Sequence, residues 1–478
     1  MNNNRLQYKI SLDNNNIARR RRLILGVALI YVIAMYLIMH GNIRKESIDD
    51  SWVLNWFYNY IYSGQENDIA FMVGSSPIGG ITLFAKLQAV VYGNLLKLAG
   101  WSLNNAFWIS TSFIILAGAL WAKIFKAVGI DRYYAYLAAL LMLMLEPFLF
   151  AGNCARGDSF GFFLASLTLM LFIKEKYILT GVMLMLALET HLMAGATSGI
   201  YLLAYVISYS KKFSLDKNKL VFNIAKFILG VVAGTVVYAL LHQNGIDLIL
   251  NGSAFTNIKR FSGGLGDNFI LGYFLNERFM RHLPELIILL VSIGICVYKK
   301  AYKDCVFSIV LLLLSIILSL ITRRESAPYI IFVYPAFMMS IILAVQYMKK
   351  ELIVILLFAC LLTPQYFYVY KIYSSYDINA YATKLNEYVP KNGVTVLGNA
   401  NSWFAFQGRD WYEYTSVGYG HIDADKIYII QNKNYIQYTK GRQEQWKDIM
   451  RTYPSKIIKS FEVNGEQVNI RVYNKNEL

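Results

Sequence analysis

A chain of 478 residues that is 56% hydrophobic and only 16% charged has too little polar surface to close around a water-soluble core. Its 46 basic and 30 acidic residues give a formal charge of +16, which in a soluble protein would suggest nucleic acid. Here the cations fall in short loops between apolar runs, as the positive-inside rule requires, so the bilayer replaces nucleic acid as the partner, and four cysteines without metal spacing exclude a disulfide framework or zinc module.

Residues 1–22 read as a basic cytoplasmic tail ending in Arg19, Arg20, Arg21 and Arg22. The apolar run over 23–39 has no small-residue cleavage site after it and is read as an uncleaved first span. That span delivers Asp49 and Asp50 to the outer side, in an outer loop over 41–104. Within this loop, residues 81–98 carry Lys86, Gln88, Asn94 and Lys97 at helical spacing, which predicts an interfacial amphipathic helix and not a second span.

Further spans are predicted over 106–125, 133–151 and 160–173, then two that flank an outer corner with Glu189 and His191. Runs over 221–241, 283–298, 306–321, 329–347 and 352–370 complete about eleven spans with the C-terminus outside. The outer loop 243–281 carries Gly263, Gly264 and Gly266; with no Lys-Ser/Thr behind them they suit a lid, not a phosphate loop. From residue 371 the composition turns polar and aromatic. Strand-like runs at 394–397, 426–430 and 468–472 and a helical stretch at 443–452 predict a small soluble α/β domain over 371–478. The fold class expected is a polytopic α-helical membrane domain over 23–370 with this extracytoplasmic domain after it.

Charged groups near a membrane are costly, so their placement is informative. On this topology Asp49 with Asp50, Arg156 with Asp158, Glu189 with His191, and Arg323 with Arg324 and Glu325 all lie at the outer end of the bundle. If a donor sugar is carried on a polyprenyl phosphate, its phosphate is already a good leaving group. The enzyme then needs a carboxylate to deprotonate the acceptor hydroxyl and cations to hold the departing phosphate. Each feature also has a plainer reading: the Asp pair as the cap of a helix starting at Ser51, Arg156 and Asp158 as a surface ion pair, Arg323 and Arg324 as interface anchors, His191 as a structural histidine. Their joint placement is what favours a site. A divalent metal is left open, and no other cofactor is implied.

The order of these pieces resembles the GT-C superfamily of integral membrane glycosyltransferases, in particular the branch of protein O-mannosyltransferases and the aminoarabinose transferases that modify lipid A. Ile48-Asp49-Asp50-Ser51-Trp52 is similar to the family's acidic motif after the first span, which implies Asp49 as catalytic base with Asp50 and Asp158 orienting base or acceptor. Ser76-Pro77-Ile78 before an interfacial helix is similar to the family's Pro-containing segment, although the family often has His-Pro-Pro there. Arg156-Gly157-Asp158 occupies the place of a second outer acid preceded by Arg. The stretch from Arg323 through Tyr329 to Tyr334-Pro335 resembles the family's late Arg-Tyr-Pro run. The resemblance implies Arg323 or Arg324 as a contact to donor phosphate; the outer clustering of charge adds Arg156, a phosphate seated on the amphipathic helix would add Lys86, and Glu189, His191 and Tyr329 are expected to line the site. An isoprenoid-phosphate sugar would be the donor, and a glycan, lipid or protein the acceptor. Two other readings stay open: a glycan polymerase or ligase using a lipid diphosphate, for which Lys259, Arg260, Arg278 and Arg281 would supply cations, and a transporter or flippase.

Overall fold

The first apolar run lies in α1 (Asn2–His40); α2 (Ile48–Ser63) and α3 (Lys86–Ala99) follow as short helices before the bundle resumes with α4 (Leu103–Ala127). Next come α5 (Arg132–Leu143), α6 (Glu146–Gly152), α7 (Asp158–Ile173), α8 (Tyr177–Thr190) and α9 (Leu192–Ser208). The helical part is completed by α10 (Lys217–Leu241), α11 (Phe279–Tyr298), α12 (Tyr302–Thr322), a 3-10 turn over Ala327–Phe332 and α13 (Tyr334–Met348). This computed structural model describes residues 2–40, 48–64, 85–210, 217–243, 270, 279–322, 327–350, 352–353, 355–360, 362, 377–414, 417, 421–437 and 440–477. The expected run over 352–370 lies largely outside the described residues, as do the glycines of loop 243–281 and Lys259, Arg260 and Arg278.

Among the described residues three stretches are long and apolar enough to cross a bilayer unaided: Asn16–Met39, Leu103–Ala127 and Asn218–Leu241. The span expected over 133–151 is instead two helices, Arg132–Leu143 and Glu146–Gly152, bent by 65°. Pro147 in the first turn of α6 has no amide hydrogen to continue the α5 ladder, which explains the break. Likewise the run over 329–347 opens on the 3-10 turn, and Pro335 starts the regular helix α13. The other expected spans between 158 and 320 coincide with apolar helices or helix segments of 10–17 residues.

α7 lies inside the bundle, packed on α4, α8 and α9. α8 and α10 run side by side and parallel, and glycine decides how closely. A Cβ at Gly230 would stand 2.0 Å from the Ile178 carbonyl oxygen, and one at Gly181 would stand 2.4 Å from that of Phe227. With Gly234 also in the seam, against Met185, this is a small-residue helix contact of the membrane type. Because the obstacle is backbone, Gly230→Ala is expected to destabilise by about 2 kcal/mol through overpacking. Gly294→Ala, where nothing stands within 4 Å, is the control. A thermal unfolding comparison of the two in one detergent checks this: equal midpoints would show that the seam opens freely.

Arg19, Arg20, Arg22, Lys174, Lys176, Lys299, Lys300, Lys349 and Lys350 are exposed at one end of the bundle. The starts of α2, α3, α7 and α9 and the ends of α8 and α10 meet at the other.

The C-terminal domain contains α14 (Ile378–Tyr388), then β1 (Thr395–Gly398), a 3-10 turn Ala400–Ala405, β2 (Asp410–Glu413), β3 (Lys426–Asn432), α15 (Lys440–Thr452), β4 (Lys456–Val463) and β5 (Glu466–Asn474). Asp377 caps α14, its Oδ1 accepting from Asn379 and Ala380 amides. The sheet order is β2-β1-β3-β5-β4. β1 is parallel to β2 and β3, whereas β3 with β5 and β5 with β4 are antiparallel. Two strands were not expected from the sequence: β2, whose Asp-Trp-Tyr-Glu carries no apolar run, and β4, an exposed edge with lysines and a bulge between Ile457 and Lys459.

Candidate functional site

The Asp pair does not cap a helix at Ser51: α2 begins at Ile48, so both acids sit inside its first turn, where a carboxylate is favoured by the helix dipole. Asp49 is placed there by its backbone, while its side chain lies outside the described residues. Asp50 is fully buried, and its Oδ1 accepts from the Ala155 amide at 2.6 Å and from Cys154 Sγ at 3.1 Å. The acid after the first span is thereby fastened to the turn that leads into α7.

That turn carries the second predicted pair. Arg156 Nε lies 3.0 Å from Asp158 Oδ2; Asp158 is 1% exposed and Arg156 20%, so the carboxylate is buried and the pair is not the fully solvated one the sequence also allowed. The approach is off the N–H axis, and neither Asp158 oxygen has a well-aligned hydrogen bond among the described residues. A buried carboxylate with spare acceptor capacity is costly unless something else uses it. Behind it the donors run in one direction. Ser110 Oγ donates to the Cys154 carbonyl at 2.6 Å, which leaves its oxygen to accept from Tyr92 Oη (3.1 Å), and Ser159 Oγ then donates to Tyr92 Oη (2.9 Å). Burial pushes the Tyr92 phenol up, so it stays protonated.

α3 reaches the same place from the other side. The four polar residues that the sequence spaced along this helix do not share one environment: Lys86 and Gln88 are buried while Asn94 and Lys97 are exposed. Gln88 Nε2 donates to the Ala155 carbonyl at 3.1 Å, and a Cβ on Gly157 would lie 3.0 Å from Gln88 Oε1 and 3.6 Å from His191 Cδ2. Lys86 Nζ donates to the Leu241 carbonyl at 3.0 Å, a cation at the C-terminus of α10. The start of α3 has no side-chain cap of its own, and Ala85 takes a left-handed φ of 67°. Such a conformation costs an alanine roughly 1–2 kcal/mol. Glu189 offsets it: its carbonyl accepts the Ala85 amide at 2.7 Å and its Oε1 the Lys86 amide at 2.7 Å. Glu189 Oε1 also lies 3.0 Å from His242 Nε2, both residues fully buried.

Glu189 and His191, two apart in sequence, therefore do different things. His191 caps α9, its Nδ1 accepting from the Met193 amide at 3.1 Å, which fixes the hydrogen on Nε2, 3.3 Å from Tyr329 Oη. Tyr329 is buried at the start of the late segment. Arg323 and Arg324, expected beside it, lie outside the described residues, as does the Ser76-Pro77-Ile78 segment. Among the described residues no three His, Cys, Asp or Glu side chains converge as a metal would need. Glu189, the nearest approach, spends its oxygens on the α3 amides and His242.

The structure thus brings together Asp50, Arg156, Asp158 and Lys86, with Glu189 as a buttress and His191 and Tyr329 adjoining. Two partners were not anticipated. His242 stands one residue past an apolar run and had no sequence partner to mark it. Glu285, buried inside α11, accepts from Tyr334 Oη, and a lone acid in an apolar helix was the available signal.

No family model matches the sequence, and no curated protein does. The fold, however, is similar to solved structures: ArnT from Cupriavidus metallidurans in the apo state, at a TM-score of 0.59 and 11% identity over 95% of this chain and 98% of that one. The same enzyme bound to undecaprenyl phosphate gives a TM-score of 0.56 at 11% identity, over 93% and 97% of the two chains. The chain thus shares its overall fold with these two structures along nearly its whole length.

Proposed function

We propose that the protein is an integral membrane glycosyltransferase that moves a sugar from a polyprenyl-phosphate carrier to an extracytoplasmic acceptor, with inversion and with Asp49 as general base. The observation that carries the reading is the convergence, at one end of an ArnT-like fold, of the helix turn bearing Asp49 and Asp50 with the partly buried Arg156–Asp158 pair and Lys86. The exposed cations gather at the opposite end, which the positive-inside rule assigns to the cytoplasm, and this favours an outer site in the cell membrane.

In the reaction, the acceptor O–H gives its proton to the Asp49 carboxylate as its oxygen bonds the anomeric carbon. The anomeric C–O bond to phosphate breaks on the opposite face, and the carrier leaves as a polyprenyl phosphate anion. Arg156, Arg323, Arg324 and Lys86 are assigned to that anion, since guanidinium forks and a buried ammonium hold it best where water is scarce. Asp50 and Asp158 orient the base and its surroundings.

The test is transfer of labelled hexose from undecaprenyl phosphate hexoses, presented to the purified protein with cell-envelope acceptors. A labelled product from the monophosphate donor supports the reading; consumption of a lipid diphosphate donor alone, or flux without covalent product, replaces it. In the same assay Lys86→Ala is expected to raise the donor KM by about 10- to 150-fold, the loss of one charge-assisted hydrogen bond of about 1.5–3 kcal/mol, with acceptor KM unchanged. An unaltered donor KM removes Lys86 from the phosphate contact.

A further inference from the structure

We infer that Trp403 is a positioning residue for the transfer reaction: from the C-terminal domain its indole N–H holds Asn55, and so fixes the helix whose first turn carries Asp49 and Asp50. The inference rests on the reading proposed above. Trp403 is 1% exposed and Asn55 6%, and Nε1 donates to Asn55 Oδ1 at 2.9 Å. Oδ1 takes a second bond, from Asn59 Nδ2 at 3.2 Å, so both its lone pairs are engaged and the amide is held in one orientation.

Trp403 is itself anchored deep in its own domain. It sits in the 3-10 turn where Ser402 Oγ donates to the Asn399 carbonyl at 2.6 Å and accepts from Trp411 Nε1 at 2.9 Å. Asn399 Oδ1 accepts from Tyr381 Oη at 2.8 Å, which ties the turn to α14. The following residues press on α2 a second time. Gly408 has φ +71°, and a Cβ there would stand 2.9 Å from Tyr58 Oη. The Tyr58 ring also lies 6.4 Å from that of Trp403, centroid to centroid.

A buried indole N–H needs an acceptor, and this one finds it across the domain boundary instead of within its own core. α2 is therefore gripped twice: at its first turn, where Asp50 holds Ala155, and at mid-length, where Trp403 holds Asn55. Between these points α2 packs on α3 through Phe57 and Ile61, and the two polar grips set where along and around that surface the helix rests. Base geometry is sensitive enough for this to matter, since a misplacement of about 1 Å costs about 100-fold in rate.

The experiment compares full-length wild type, Trp403→Phe, Asn55→Ala and the double variant, with Asp49→Asn as reference. Hydrogen exchange over residues 48–63 is read without donor, and transfer is read with undecaprenyl phosphate hexose. The expected result is faster exchange in α2, kcat lower by about tenfold, donor KM within about twofold of wild type, and a double variant no worse than either single. Unchanged exchange in α2, unchanged kcat in both single variants, or losses that multiply in the double variant would overturn the inference. Failure of the transfer reading registers separately, as activity that Asp49→Asn leaves intact. The exchange arm needs no donor and decides the grip on its own.

Discussion

Asp49→Asn is expected to lower the transfer rate by about 1000-fold while leaving the protein folded and inserted, because general-base catalysis by a positioned carboxylate is worth roughly 100- to 10,000-fold. The contrast with its neighbour sharpens the test. Asp50 is the buried acid that receives the Ala155 amide and the Cys154 thiol, so Asp50→Ala removes a structural acceptor and should lower the unfolding midpoint as well as the rate. Asp49→Asn should lower the rate alone. Both are read from single-turnover transfer and thermal unfolding of the same preparations. A rate for Asp49→Asn within about tenfold of wild type excludes that carboxylate as the base.

Glu189→Ala is expected to destabilise the membrane domain by about 2–6 kcal/mol, since it leaves at least two buried polar groups unsatisfied at about 1–3 kcal/mol each. The deletion strips the cap from the first amides of α3 and leaves His242 Nε2 without its partner at 3.0 Å, all fully buried. The Ala85 amide keeps its bond to the Glu189 backbone carbonyl, so the loss falls on the Lys86 and Leu87 amides, which the side-chain carboxylate holds. Glu189→Gln keeps an acceptor for the α3 amides and should lose less than half as much. Chemical denaturation of the three proteins checks the order, and equal stability of Glu189→Ala and wild type would show that α3 holds its place by packing alone.

Much of this architecture is written in the sequence, for reasons that differ by element. Apolar runs report helices in a membrane protein because nothing else satisfies backbone polar groups there, so α4, α7, α10 and α12 were plain. The break at Pro147 was legible in principle, since a proline inside a predicted span is a physical signal. The burial of Lys86 and Gln88 was not: their spacing describes a helix face, but which face turns inward depends on Glu189, Leu241 and Ala155, all distant in the chain. Position in a motif suggested Arg156 and Asp158, and the same spacing suited a solvated pair until the fold buried its carboxylate. The Trp403 contact with Asn55 has no local signature at all, because neither a tryptophan in a polar segment nor an asparagine in an aromatic helix announces its partner. Sequence patterns report what a residue does to its own element; they are silent on which element will meet it.

The glycine seam between α8 and α10 bears on how a lipid reaches the site. At Gly181 and Gly230 the two backbones stand so near that a single added methyl would collide with a carbonyl oxygen. On the proposed reading, an isoprenoid tail, a string of groups at least that wide, does not pass between α8 and α10 at the depth of these glycines.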